Sequence, residues 1–214
     1  MAMSSESPRS RRQEYAEATR RAIVDAARKL FSERGYFATK VDDIAALARV
    51  APATVYAVSA GKHGLLRTLM DIWTTAPVVE TTVRRVEELN EGEAIIRLVA
   101  ATCCSMRQEY GDIIRVILNT APNDSAVAET LATATERYRE ALVRIGGHMA
   151  ALGVLWEGVD LAQTVDVLWF YFGYEALFTL VDDNGWSYER AEKWLGDQAC
   201  HALLRSKSGR GLVH

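Results

Sequence analysis

The stretch "VDDIAALARVAPATVYAVSAGKHGLL", residues 41–66, decides the fold. Val41, Ile44 and Ala48 fall at helical spacing and define the inward face of a short helix over residues 40–47. "ARV" makes a tight turn. Pro52 then stands at the first position of a second short helix, where its missing N–H leaves nothing unsatisfied. Gly61 can cap a further helix over residues 62–75. Two short helices joined by a tight turn place the second across a DNA groove in helix-turn-helix proteins. Yet Pro52–Ser59 contains no Arg, Lys, Asn or Gln, the side chains that make most bidentate contacts to guanine and adenine. Either a reader built from Ala, Thr, Val, Tyr and Ser recognises DNA, or the segment only packs.

The flanking residues strengthen the first option. Upstream, Ile23, Ala26, Ala27, Leu30 and Phe31 form the i, i+3, i+4, i+7, i+8 stripe of an amphipathic helix over residues 14–34, ended by Gly35. Thr39 is expected to cap the next helix, with Asp42 completing a capping box. Ahead of the first helix lies a tail with Arg9, Arg11 and Arg12. Charge is uneven. Residues 1–75 hold 12 Lys/Arg against 8 Asp/Glu, while residues 76–214 hold 13 against 20. A basic first third on a chain of net charge −3 points to an anionic partner for that part alone.

Beyond Pro77 the chain reads as further helices over residues 78–89, 93–109, 111–119, 125–152, 161–181 and 188–206. "PND" (122–124), "LG" (152–153) and "DDNGW" (182–186) form loops between them. No strand-like alternation persists, so the chain is read as all-α. No apolar run reaches the roughly 18 residues that span a bilayer. The longest, "VDVLWFYFGYEALFTLV", carries Asp166 and Glu175 and reads as a buried helix. There is no secretory leader, so a cytoplasmic location is expected. Cys103, Cys104 and Cys200 have no framework spacing and read as buried apolar residues. His148 with Cys103 and Cys104 lacks diagnostic metal-ligand spacing, so no metal and no cofactor are expected. There is no Gly-rich phosphate loop, H-E-x-x-H or G-x-S-x-G, and the four histidines are scattered, so the chain does not read as an enzyme.

Taken together, "IVDAARKLFSERGYFATKVDDIAALARVAPATVYAVSAGKHGLL" resembles the DNA-binding domain of tetracycline-repressor (TetR) family regulators. The first helix matches "AA..LF.E.GY..T", the second "V..IA..A.V", the third "TVY" and the fourth "K..LL". "LW......YEALFTLVDDNGWSYERAEKWLGD" is similar to the family's final helix pair. The resemblance implies an N-terminal three-helix helix-turn-helix head over residues 18–75, after a flexible basic tail (1–17). A larger helical ligand-binding and dimerisation domain follows over 76–206, then a tail (207–214). It implies a homodimer that binds double-stranded operator DNA and is released by a small apolar or aromatic inducer, with no membrane involved. Carried over by position, the DNA-binding residues are Lys40, Arg49, Pro52, Ala53, Thr54, Tyr56, Ala57 and Lys62.

Three positions depart from the family pattern. The usual turn glycine is Arg49, the usual capping Ser is Ala51, and the usual aromatic near the end of the third helix is Ser59. These open a second reading: a helical ligand-binding or adaptor protein that has lost operator binding. Candidate inducer contacts on the expected pocket helices are Trp73, Cys103, Met106, Tyr110, Trp156, Trp169 and Tyr171. The apolar surplus of the last long helices assigns Phe172, Leu177 and Leu180 to the dimer interface.

Overall fold

The structure, a computed structural model, describes residues 11–205, and these are almost wholly helical. They divide into two units: residues up to Thr74 together with Arg115–Val127, and the remainder. The first unit ends at Thr74 along the chain, and residues 115–127 group with it.

The head begins with α1, Arg11–Arg34, which buries the predicted stripe of Ile23, Ala26, Ala27, Leu30 and Phe31. It starts three residues ahead of expectation. Arg11 and Arg12 stand exposed on its first turn, and Arg9 lies outside the described residues. Gly35, at φ +82°, donates its N–H to Phe31 O at 3.0 Å and stops the helix. α2 (Val41–Ala48) and α3 (Pro52–Ser59) are the two short helices, and α4 (Lys62–Thr74) follows. Leu65, Leu66, Leu69 and Met70 of α4 are buried, as are Ile44 and Ala45 of α2 and Val55 of α3, and α4 packs against α1 and α3.

The start of α2 differs from expectation. Its cap is Lys40, whose backbone N–H is bonded by the Asp43 carboxylate at 3.2 Å. Thr39 is instead buried, and its hydroxyl donates back to Leu30 O and Gly35 O. Leu30 lies near the end of α1 and Gly35 directly follows it. Thr39 therefore ties the connection back to the end of α1 and is not the cap of α2.

The second unit holds α5 (Val78–Glu87), most of α6 (Gly92–Thr120) and α7 (Ser125–Ala151), α8 (Leu161–Phe172), α9 (Glu175–Phe178), a π turn at Thr179–Asp183, and α10 (Tyr188–Leu203). Its core includes Ile95, Ile96, Leu142, Ile145, Met149, Leu168, Phe172, Leu195 and Leu203. Two expected helices, over 93–109 and 111–119, are one. Gly111 lies inside α6, where glycine costs about 1 kcal/mol against alanine. The neighbouring Ile113, Ile114 and Ile117 are fully or almost fully buried, and that burial outweighs it.

Conversely, the single helix expected over 161–181 is broken. Gly173 has φ −63° and ψ −169°, so the α8 backbone turns extended there before α9 resumes. A Cβ at this position would sit 2.4 Å from Trp169 O, which only glycine avoids. Leu161–Asp183 as a whole is long and apolar enough by composition to cross a membrane, contrary to the sequence expectation. Half of its most apolar window is buried within the chain, as in the core helix of a folded domain.

Candidate DNA-binding face and ligand crevice

α3 buries one residue, Val55, and turns most of the rest outward. Pro52, Ala53, Tyr56 and Ala57 are exposed and Thr54 is half-buried, so the expected groove-facing set shares an accessible face. Tyr56 is 58% exposed, which removes it from the core of the head. Ala51 caps α3 without a side-chain bond; Thr54 N–H instead reaches Ala51 O at 2.9 Å. Ser59, where the family pattern has a ring, donates from Oγ to Val55 O at 2.8 Å. The turn into α4 is tight enough that a Cβ on Gly64 would lie 1.5 Å from Ser59 O.

Arg49 ends α2 in the left-handed region, at φ 57° and ψ 44°. Its N–H donates to Ala46 O at 3.2 Å, and the next N–H, from Val50, reaches Ala45 O at 3.0 Å. The turn thus keeps the geometry a glycine would adopt, with strain of about 1 kcal/mol. The guanidinium is exposed and makes no ion pair among the described residues; Asp43 pairs with Arg34 and Glu33 with Lys29. Lys40 is likewise exposed. Lys62 is not free in the same way. Its ammonium donates to Tyr36 O at 2.9 Å and Phe37 O at 3.4 Å and stands 4.4 Å from the Tyr36 ring centre. Partial burial lowers its pKa.

In the second unit, the break after α8 leaves carbonyls that no helix satisfies, and side chains from α6 and α7 take them. Tyr138 Oη donates to Phe172 O at 2.8 Å, and Arg107 Nη2 donates to Gly173 O at 2.9 Å. The Cys103 thiol lies 2.9 Å from Tyr138 Oη. Burial pushes the Tyr138 phenol and the Cys103 thiol up, while the Arg107 charge opposes both shifts. Trp169, Tyr138 and Tyr174 pack edge to face or tilted against one another, with ring centres 5.4–6.3 Å apart. Cys103, Arg107, Tyr171, Gly173 and Leu195 line a closed crevice too narrow for water. It adjoins an open, mainly apolar groove of about 860 Å³, with Tyr171, Gly173 and Leu195 shared between them.

The expected inducer contacts are therefore only partly gathered. Cys103, Trp169 and Tyr171 lie at the crevice or groove. Trp73 is buried in the first unit, on α4. Trp156 is 43% exposed and follows α7 in a loop, where its indole N–H donates to His201 O at 3.3 Å. Met106 is buried on α6 and Tyr110 is half-buried further along it; neither lines the crevice or the groove. His148 is engaged elsewhere than with the cysteines, its Nε2 standing 2.8 Å from Leu89 O.

The residues expected at the dimer interface are buried within the single chain. Phe172, Leu177 and Leu180 are 2%, 4% and 8% exposed and belong to the core of a single chain. The apolar surplus has a partner within the chain: α6, α7 and α10 bury it. Phe170, 71% exposed, and Trp194, 40% exposed, are the large apolar residues that α8 and α10 turn outward around the groove.

A short helix-turn-helix with an exposed second helix, in a chain that also holds a larger helical unit, is an arrangement that DNA-binding regulators use. Residues 23–69 match the family model for bacterial regulatory proteins of the tetR family. The match covers the head alone, and the all-α fold of the described residues is similar to that of solved TetR-family regulators. A search of curated proteins gave no match. Among solved structures, a transcriptional regulator from Saccharomonospora viridis in complex with choline superposes with a TM-score of 0.70 at 16% identity, over 89% of this chain and 100% of that one. FadR from Bacillus subtilis in complex with stearoyl-CoA gives 0.68 at 20% identity, over 84% and 96%. The TetR-family regulator PfmR from Thermus thermophilus gives 0.67 at 22% identity, over 86% and 99%.

Proposed function

We propose that the protein is a homodimeric, cytoplasmic transcriptional repressor that holds double-stranded operator DNA through α3 and is released by a small-molecule inducer bound in its second unit. The observation that carries this reading is the outward face of α3, Pro52, Ala53, Tyr56 and Ala57, flanked in sequence by the exposed cations Lys40 and Arg49. Ala53 and Ala57 can meet thymine methyl groups, and Thr54 and Tyr56 can bond base edges or phosphate. Cations beside such a helix supply affinity without sequence information. With few readers, discrimination falls more on DNA shape. The ligand-bound regulators of similar fold support the inducer. Choline and stearoyl-CoA in those structures share no chemistry that selects one here.

The absence of Arg, Lys, Asn and Gln from α3 favours a second reading, an adaptor or ligand-binding protein of this fold without operator binding. Gel shift on DNA flanking the protein's own gene separates the two. A retarded, salt-sensitive complex with site preference supports the repressor. No complex, or one indifferent to sequence, supports the second reading. Release of the complex by an added compound identifies an inducer.

A further inference from the structure

Arg107 is 4% exposed, yet no carboxylate among the described residues pairs with it. Its contacts are the Gly173 carbonyl and the faces of Tyr174 and Phe178, with ring centres 5.5 and 5.7 Å away. Its Nε is buried with no hydrogen-bond partner. Buried charges are normally paired, because water no longer stabilises them. The one carboxylate lining the same crevice is Glu192, and it is turned to the Cys104 thiol, which burial first and Glu192 next push up to about 12. A guanidinium fork with an unused N–H matches a carboxylate in two-point geometry.

We propose that Arg107 is the anion receptor of a ligand site in the second unit, and that the site takes a small apolar carboxylate. The carboxylate engages Nε and one Nη of Arg107, drawing Nη2 from Gly173 O. The apolar body lies along Tyr171 and Leu195 into the groove that adjoins the crevice. The crevice is closed to water as it stands, so binding opens it at the α8–α9 break, where Gly173 already interrupts the helix. This refines the inducer reading, narrowing an apolar or aromatic molecule to an apolar acid. It rests on that reading only for the consequence at DNA.

The test is a melting curve of the full chain at neutral pH with two matched pairs of probes: 4-phenylbutyrate against 4-phenylbutanol, and decanoate against decanol. In wild type, one acid or both is expected to raise the melting temperature by about 3 °C or more beyond its alcohol. Arg107→Gln keeps an N–H for Gly173 O and removes the charge, and the acid preference is expected to disappear. The proposal is overturned if neither acid exceeds its alcohol in wild type, a result that needs no variant to fold. It is also overturned if Arg107→Gln keeps the preference. The melting readout involves no DNA. A chain that prefers the acid but shifts no DNA loses the repressor reading and keeps this site; one that shifts DNA but shows no preference loses this site alone.

Discussion

Lys62 on α4 donates its ammonium to Tyr36 O at 2.9 Å and sits 4.4 Å from the centre of the same residue's ring. The residue that the family pattern offers as a phosphate contact therefore also straps the α1–α2 connection to α4. Lys62→Met is expected to lower head stability by about 1 kcal/mol, since the bonds are to carbonyls in a partly solvated position. Salt dependence of DNA affinity separates the roles. A slope reduced by about one marks a phosphate contact as well. Lost stability with an unchanged slope leaves Lys62 as a strap alone.

Arg49 carries the backbone of a glycine with the side chain of a phosphate ligand. Arg49→Gly is expected to stabilise the fold by up to about 1 kcal/mol, since the left-handed conformation no longer strains a Cβ. The same change is expected to weaken operator binding by removing an exposed guanidinium. Melting temperature and affinity are read on one variant. Affinity that stays equal or rises removes Arg49 from the interface.

Tyr56 and Thr54 are the polar side chains of α3's outer half that can bond a base. Tyr56→Phe and Thr54→Ala are expected to change the ranking of operator variants, each with a loss of about 1–3 kcal/mol at one base pair. Uniform weakening over all sequences, measured on a set of single-base operator variants, would make α3 a clamp without reading.

Asp197 of α10 accepts from Arg97 of α6 and from Lys193 one turn earlier, and these bonds hold its carboxyl below the usual carboxylate value. A Cβ on Gly196 would lie 2.8 Å from Arg97 Nη1, so glycine gives the guanidinium its path. With the folded pKa depressed, the unfolded chain binds the proton first. The stabilisation is complete above about 3.8, the unfolded value, and is lost as pH falls through the lower folded one. Asp197→Asn should therefore melt earlier than wild type at pH 7, and the two curves should converge under strongly acid conditions. A difference independent of pH would assign the effect to packing.

The head was legible because each of its signals is local. The stripe from Ile23 to Phe31, Gly35, and Pro52 at the first position of α3 all act within a turn or two of chain. The second unit was less so, because its decisive features depend on distant residues. Gly111 reads as a break but is carried through by isoleucines buried against other helices. Gly173 reads as one small residue in an apolar run, yet it ends α8, since Tyr138 and Arg107 supply donors for the carbonyls it frees. Arg107 left a trace: it continues the inward series Ile96, Ala100, Cys103, where a charge is out of place. That signal marks the position but does not name what it bonds.

For the proposed dimer, the candidate pairing face lies among the apolar residues left exposed once the core is assigned. Phe172, Leu177 and Leu180 are consumed within the chain, so a charge at Phe172 should unfold it and not merely separate protomers; large-to-small or charged changes at such sites cost about 3–5 kcal/mol. Phe170 differs by two residues and points the other way, 71% exposed on α8, with Trp194 of α10 on the same groove. Such exposed aromatics are the kind of anchor that a symmetric interface buries at its centre. Phe170→Asp is thus expected to leave the melting profile of the isolated chain nearly unchanged while shifting sedimentation from dimer to monomer at micromolar concentration. Operator affinity should fall with it, because one head then binds without its partner half-site. A Phe170→Asp protein that remains dimeric places the pairing face elsewhere.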